Sequence, residues 1–275
     1  MFFEPKRNNT SLLYEVFRFF DLLYHTTVRN IRKESANPII AVVNQILTAL
    51  VLVVVFLFFI RILGMRSLAI RGNEVQFIMA GIFLFLVHNG ALGAGGSIGS
   101  QRNALNLHTH VTHFMSLFAA GFAQLYISIL AATICLGLSH IILEPVEFHR
   151  FSGFAFAFFM AWISGLSIGY FFNAIMPFAP RIVALIQTFY SRGNMIFSGK
   201  MTLANSLPAM MLPYFLWNPL FHIIDYSRGE SFINYTPRVT NINYPIYLTI
   251  IVFILAMMLQ KNADKKVSAS WGARR

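Results

Sequence analysis

Long apolar runs separated by short polar interruptions organise this sequence. Residues 38–60 carry no charged side chain, nor do residues 103–143 or 151–180. About 20 apolar residues in a helix suffice to cross the hydrocarbon core of a bilayer. The pattern therefore predicts six membrane segments, at roughly 38–61, 75–93, 114–140, 151–176, 182–198 and 243–260. It reads as an all-α, polytopic membrane protein in three parts: an N-terminal region over 1–37, a transmembrane domain over 38–260 and a basic tail over 261–275.

Two stretches depart from the plain span. Over 11–32, Leu12, Val16, Phe19, Phe20 and Leu23 fall at helical spacing while Glu15, Arg18 and Asp21 lie largely on the other side. That is the pattern of an amphipathic helix lying in the membrane interface. The second stretch, 182–224, is apolar but interrupted by Arg192-Gly193-Asn194 and then by Pro208, Pro213 and Pro219. Irregular backbone survives at membrane depth only where protein or a water-filled cavity satisfies it. A broken, re-entrant or gate-like hairpin before the last span is the expectation, with Asn218 and Pro219 breaking the helix.

Composition agrees with the periodicity: 57% of the 275 residues are hydrophobic and 11% charged, against about 25% charged in a soluble domain. The first apolar run begins only at Pro38, which does not fit a cleaved signal peptide. The single cysteine, Cys135, lies inside a span and reads as a packing residue. A net charge of +11 need not mean nucleic acid, because cytoplasmic segments of membrane proteins retain Lys and Arg. Of the 21 basic residues, 13 fall on the side of the two termini when six spans are drawn, so both ends are expected to be cytoplasmic. Arg61, Arg66 and Arg71, in the first connection, run against that bias. With Arg150, Arg192, Lys200, Arg228 and Arg238 they leave the opposite side mildly basic, which suits an anionic partner there.

Candidate chemistry is sparse. GNMIFSGK at 193–200 has five residues between its glycines and Met201 where a magnesium-holding hydroxyl belongs, so it is not a phosphate-binding loop. His108, His110 and His113 have no nearby acid or cysteine to complete a metal site, and no metal or cofactor is expected. The glycine-rich 89–100 stretch suits close helix approach or a bend better than a nucleotide. Asn44, Gln45, Tyr126, Tyr170, Asn173 and Tyr190, polar or aromatic positions in spans, are candidates to line a conduit. The first two stand out because amides avoid lipid. Asp225 and Arg228, three apart, are close enough on a helix to pair.

Four places resemble one family. They are LLYHTTVRNIRKESANPIIAVVNQIL leading into the first span, NALNLHTHVTHFMSLFAAGFAQ leading into the third, the short 177–181 loop, and above all YFLWNPLFHIIDYSRGE at 214–230. This last block is similar to the C-terminal block of ABC-2 type permeases that export capsular and other cell-surface polysaccharides. SGKMTLANSLP at 198–208 departs from the family's usual phenylalanine-proline turn. The resemblance implies a bacterial inner-membrane, multi-pass transport subunit rather than an enzyme. It would be a homodimer in contact with membrane lipids, moving a polysaccharide that could be lipid-linked. Two copies of a separate ABC ATPase would drive it. It further implies a coupling loop at 99–112 containing Arg102, Asn103, Leu105, His108 and His110. An extracytoplasmic gate would lie at 198–242, with Trp217, Asn218, Pro219, His222, Asp225 and Arg228 as its motif. Two alternatives stay open: an ABC-2 permease for a small lipid or drug, and a membrane-embedded glycosyl- or acyltransferase.

Overall fold

The computed structural model describes residues 12–34, 37–62, 73–98, 112–143 and 145–272. Among them the secondary structure is all helical, with nine α-helices: α1 (Leu12–Glu34), α2 (Pro38–Ile62), α3 (Glu74–Gly96), α4 (His113–Ile142), α5 (Phe151–Ile175), α6 (Pro180–Phe197), α7 (Pro213–Leu216), α8 (Pro219–Ser231) and α9 (Asn243–Gly272). A short 3-10 turn, Ala204–Ser206, lies between α6 and α7. Among the described residues, five helices are long and apolar enough to cross a membrane: α2, α3, α4, α5 and α9. The chain is thus a multi-pass membrane protein of all-α fold.

The spans start where local chemistry allows. Pro38 opens α2, where its missing N–H has no partner to lose. Asn73 caps α3 by accepting from the backbone N–H groups of Val75 and Gln76, and Thr112 caps α4 through Met115. α1 is the expected amphipathic helix: it leaves Phe17, Phe20 and Tyr24 exposed, buries Thr26 and Asn30, and packs on α4. The candidate last span, Asn243–Ala263, matches the expected one, and its helix α9 continues beyond it to Gly272.

α3 and α5 are the axis of the fold. Their most apolar windows are 72% and 67% buried, against 28%, 33% and 22% for α2, α4 and α9. The two helices touch backbone to backbone. A Cβ placed on Gly165 would lie 2.2 Å from the His88 carbonyl, and one on Gly169 would lie 2.2 Å from that of Leu92. From the other side, a Cβ on Gly95 would lie 2.7 Å from the Leu166 carbonyl. Small residues let helix backbones approach this closely. Trp162 locks α4 onto the pair, its indole N–H donating to the Gly121 carbonyl at 2.8 Å.

The segment expected at 182–198 departs from a plain span. α6 runs unbroken through Arg192-Gly193-Asn194, and the break comes after it, at Ser198. Helical propensity across that triplet is lower by only about 1 kcal/mol at the glycine, which the packing of Asn194 overrides. α6 is not among the five candidate spans. It leaves Ile182, Leu185, Phe189 and Ile196 exposed while burying Val183 and Asn194. Its apolar side faces out and part of its polar side faces in.

Candidate functional site

The 198–242 region folds back into the bundle. Pro213 and Pro219 each sit at the start of a helix, so these prolines begin α7 and α8. The chain breaks at Trp217-Asn218, as the pattern predicts. Asn218 makes the new start possible: its Oδ1 accepts from the Leu220 N–H at 3.0 Å, capping α8. α8 packs against α5 and α3 and ends beside the start of α5, where the Arg150 N–H donates to the Glu230 carbonyl at 2.8 Å.

A ladder of buried and half-buried side chains ties this segment to the axis. Asn218 Nδ2 donates to Asn194 Oδ1 at 2.9 Å, and Asn194 Nδ2 donates to Asn89 Oδ1 at 3.2 Å, linking α8, α6 and α3. One residue earlier on α3, His88 Nδ1 lies 3.1 Å from the Ala161 carbonyl and 3.0 Å from Ser164 Oγ. A carbonyl only accepts, so Nδ1 carries the proton; Nε2 then accepts from the Tyr190 hydroxyl at 3.3 Å. An unpaired amide in an apolar interior costs about 1–3 kcal/mol. The ladder therefore fixes how α6 and α8 sit on α3.

Asp225 and Arg228 do not pair with each other. Asp225 is buried and accepts from the Tyr235 hydroxyl at 2.5 Å and the Thr240 hydroxyl at 2.7 Å. Arg228 is equally buried; it donates to the carbonyls of Thr202 at 2.5 Å and Lys200 at 2.7 Å, with its guanidinium 4.0 Å above the Phe77 ring. The sequence spacing permits the pair, but polar backbone exposed by the 198–202 turn and the hydroxyls after α8 supply better-placed partners. Lys200 is 1% exposed, and its Nζ lies 3.4 Å from the Phe85 ring centre and 5.1 Å from that of Phe56. Burial pulls the Lys200 ammonium down to about 7. It pulls Arg228 down to about 10, against the opposing pull of Asp225. Burial and then the neighbouring Asp225 push the Tyr235 hydroxyl up.

The remaining motif residues serve the joint. His222 Nδ1 accepts from the Asn241 N–H at 3.0 Å, so its Nε2–H donates to the Leu216 carbonyl at 2.8 Å. Burial lowers its pKa, countered in part by Leu216 and Asp225. The half-exposed Trp217 ring packs beside Tyr190 and Phe197, and its carbonyl accepts from the Tyr244 hydroxyl at 2.7 Å.

The conduit candidates are not gathered at one place in the single chain. Asn44 and Tyr126 are exposed on α2 and α4. Gln45 donates to Ser128 on α4 at 3.2 Å, and Gln124 donates to the same hydroxyl at 3.3 Å. Tyr170 is buried against Phe253. Asn173 joins Gln260 at 3.5 Å, which reaches His113 at 3.3 Å. Only Tyr190 belongs to the ladder. Arg102, Asn103, Leu105, His108 and His110, the proposed coupling residues, lie outside the described residues, as do Arg66 and Arg71. The sequence reading missed Asn89, Asn194, Tyr235 and Thr240 as partners; the available signal was a polar His88-Asn89 pair inside the uncharged 75–98 run.

Together the fold and this joint define a multi-pass helical membrane protein with a broken, polar-anchored segment before its last span. The chain matches no protein-family model and no curated protein.

Proposed function

We propose that this protein is the membrane permease subunit of an ATP-driven exporter for a capsular or other cell-surface polysaccharide. The observation that carries the reading is α8. The 214–230 block, where the resemblance to ABC-2 type polysaccharide permeases is strongest, covers most of α7 and of α8, and α8 is a short helix held in the bundle by apolar packing and buried polar contacts, not among the candidate spans. A short helix set between two spans by apolar packing and a few specific hydrogen bonds suits a gate, because those bonds have discrete made and broken states.

In this reading the protein sits in a bacterial inner membrane with both termini in the cytoplasm, α6 and α8 together making the sixth crossing between α5 and α9. The end of the bundle holding His113, Asn173 and Gln260 faces the cytoplasm, and the end where α8 meets Arg150 faces out. A homodimer forms the conduit. Two copies of a separate ATPase act through the 99–112 loop, since GNMIFSGK lacks the spacing to bind ATP. The outward apolar side of α6, with Ile182, Leu185 and Phe189 exposed, supports its contact with lipid or the second copy.

Deletion of the gene in its host tests the reading. Surface polysaccharide should disappear while polymer accumulates inside the cell, and the wild-type gene should restore export. Unchanged surface polymer would overturn it.

A further inference from the structure

The interior of the bundle is out of charge balance. Among the described residues, the buried lysine, arginine and carboxylate side chains are Lys200, Asp225 and Arg228. Two are basic, and the one carboxylate is already engaged by two hydroxyls. Lys200 Nζ has aromatic ring faces around it and no hydrogen-bond acceptor, and Ser198 Oγ, Thr202 Oγ1 and Arg228 Nε are likewise buried without a partner. These atoms belong to one turn and to the guanidinium that grips its carbonyls. Ammonium and guanidinium nitrogens only donate, and hydroxyls can donate. What such a set lacks is an acceptor with negative charge, because buried charges are tolerated when paired and hydrogen-bonded.

The backbone of the turn is held by α3 and α8, while the buried lysine side chain is held by ring contacts. Gly199 has φ +68°, and a Cβ there would lie 2.4 Å from the Phe221 ring of α8. On the other side, a Cβ on Gly81 of α3 would lie 2.7 Å from the Lys200 carbonyl. The Lys200 stem, by contrast, ends against Phe85 of α3 and Phe56 of α2. α2 is one of the less enclosed spans, with 28% of its most apolar window buried. A small displacement of α2 would uncover the ammonium and leave the turn intact.

We propose that the 198–202 turn and Arg228 form an oxyanion site, covered by Phe56 in this structure, that takes a phosphate or carboxylate group. The anion supplies the acceptors that Lys200, Ser198, Thr202 and Arg228 Nε lack. That it is carried by exported cargo rests on the export reading above; a lipid headgroup offers the same chemistry.

The test uses purified full-length protein in non-ionic detergent, with inorganic phosphate titrated against chloride of matched ionic strength. Wild type should bind phosphate at least about tenfold more tightly than Lys200→Met, the loss of one charge-assisted contact, while Lys200→Arg keeps the binding. Ser198→Ala provides the same comparison should Lys200→Met fail to fold. Equal affinity in wild type and both variants, or no binding by wild type, overturns the site and identifies Lys200 as a neutral packing residue. Repeating the titration in phosphatidylcholine nanodiscs with and without phosphatidylglycerol assigns the source. Competition by phosphatidylglycerol points to a headgroup, and its absence to phosphate borne by cargo. Failure here leaves the deletion phenotype, and so the export reading, untouched.

Discussion

Asn218 does two jobs with one side chain. Its Oδ1 starts α8 and its Nδ2 begins the ladder through Asn194 to Asn89. Replacing Asn218 with Ala removes the cap, worth about 0.5–2 kcal/mol, and leaves Asn194 Oδ1 buried without a donor, worth about 1–3 kcal/mol. Asn194→Ala strands groups on both Asn218 and Asn89. A double-mutant cycle on detergent unfolding should therefore give an Asn194–Asn218 coupling of about 0.5–3 kcal/mol. Additive effects of the two substitutions would mean that the ladder does not hold α6 to α8. At this scale the sequence was informative about residue type and silent about partner. Asp225 and Arg228 are visibly unusual in an apolar region, yet their spacing alone suggests a pair the structure does not form. Their true partners, the Lys200 and Thr202 carbonyls and the Tyr235 and Thr240 hydroxyls, come from turns whose geometry no periodicity encodes.

Among the elements, the five spans were legible because lipid imposes one rule: an uncharged run long enough to cross must be a helix. The helix starts at Pro38, Glu74, His113, Phe151 and Asn243 fall within a residue of the predicted ones. α6 was harder to read, because Arg192-Gly193-Asn194 resembles a break when taken alone. Only the tertiary contact of Asn194 with Asn89 and Asn218 explains why the helix continues. The α3–α5 contact was likewise hidden, since glycines in a span do not announce which neighbour they meet. It makes a sharp prediction. Gly165→Ala and Gly169→Ala force backbones apart and should each destabilise by about 1–3 kcal/mol. Gly137→Ala on α4, where a Cβ would meet nothing within 4 Å, should stay within about 0.5 kcal/mol of wild type. Thermal unfolding in detergent checks all three; a Gly165→Ala protein as stable as Gly137→Ala would contradict the close crossing.

For the whole molecule, a rigid α3–α5 axis is flanked by spans that leave apolar surface for lipid or a second copy, and α8 sits inside on apolar packing and buried hydrogen bonds. Rigid spans beside a short, polar-anchored helix separate what must stay fixed from what can move. The export proposal assigns that movement to passage of a polysaccharide, powered by an ATPase seated at the opposite end. The most direct measurement uses inverted membrane vesicles containing the protein and its ATPase, with the polymer supplied outside. The account predicts that ATP, and not a non-hydrolysable analogue, drives the polymer into the lumen, where added glycosidase cannot digest it. Polymer that stays fully digestible in the presence of ATP would contradict it.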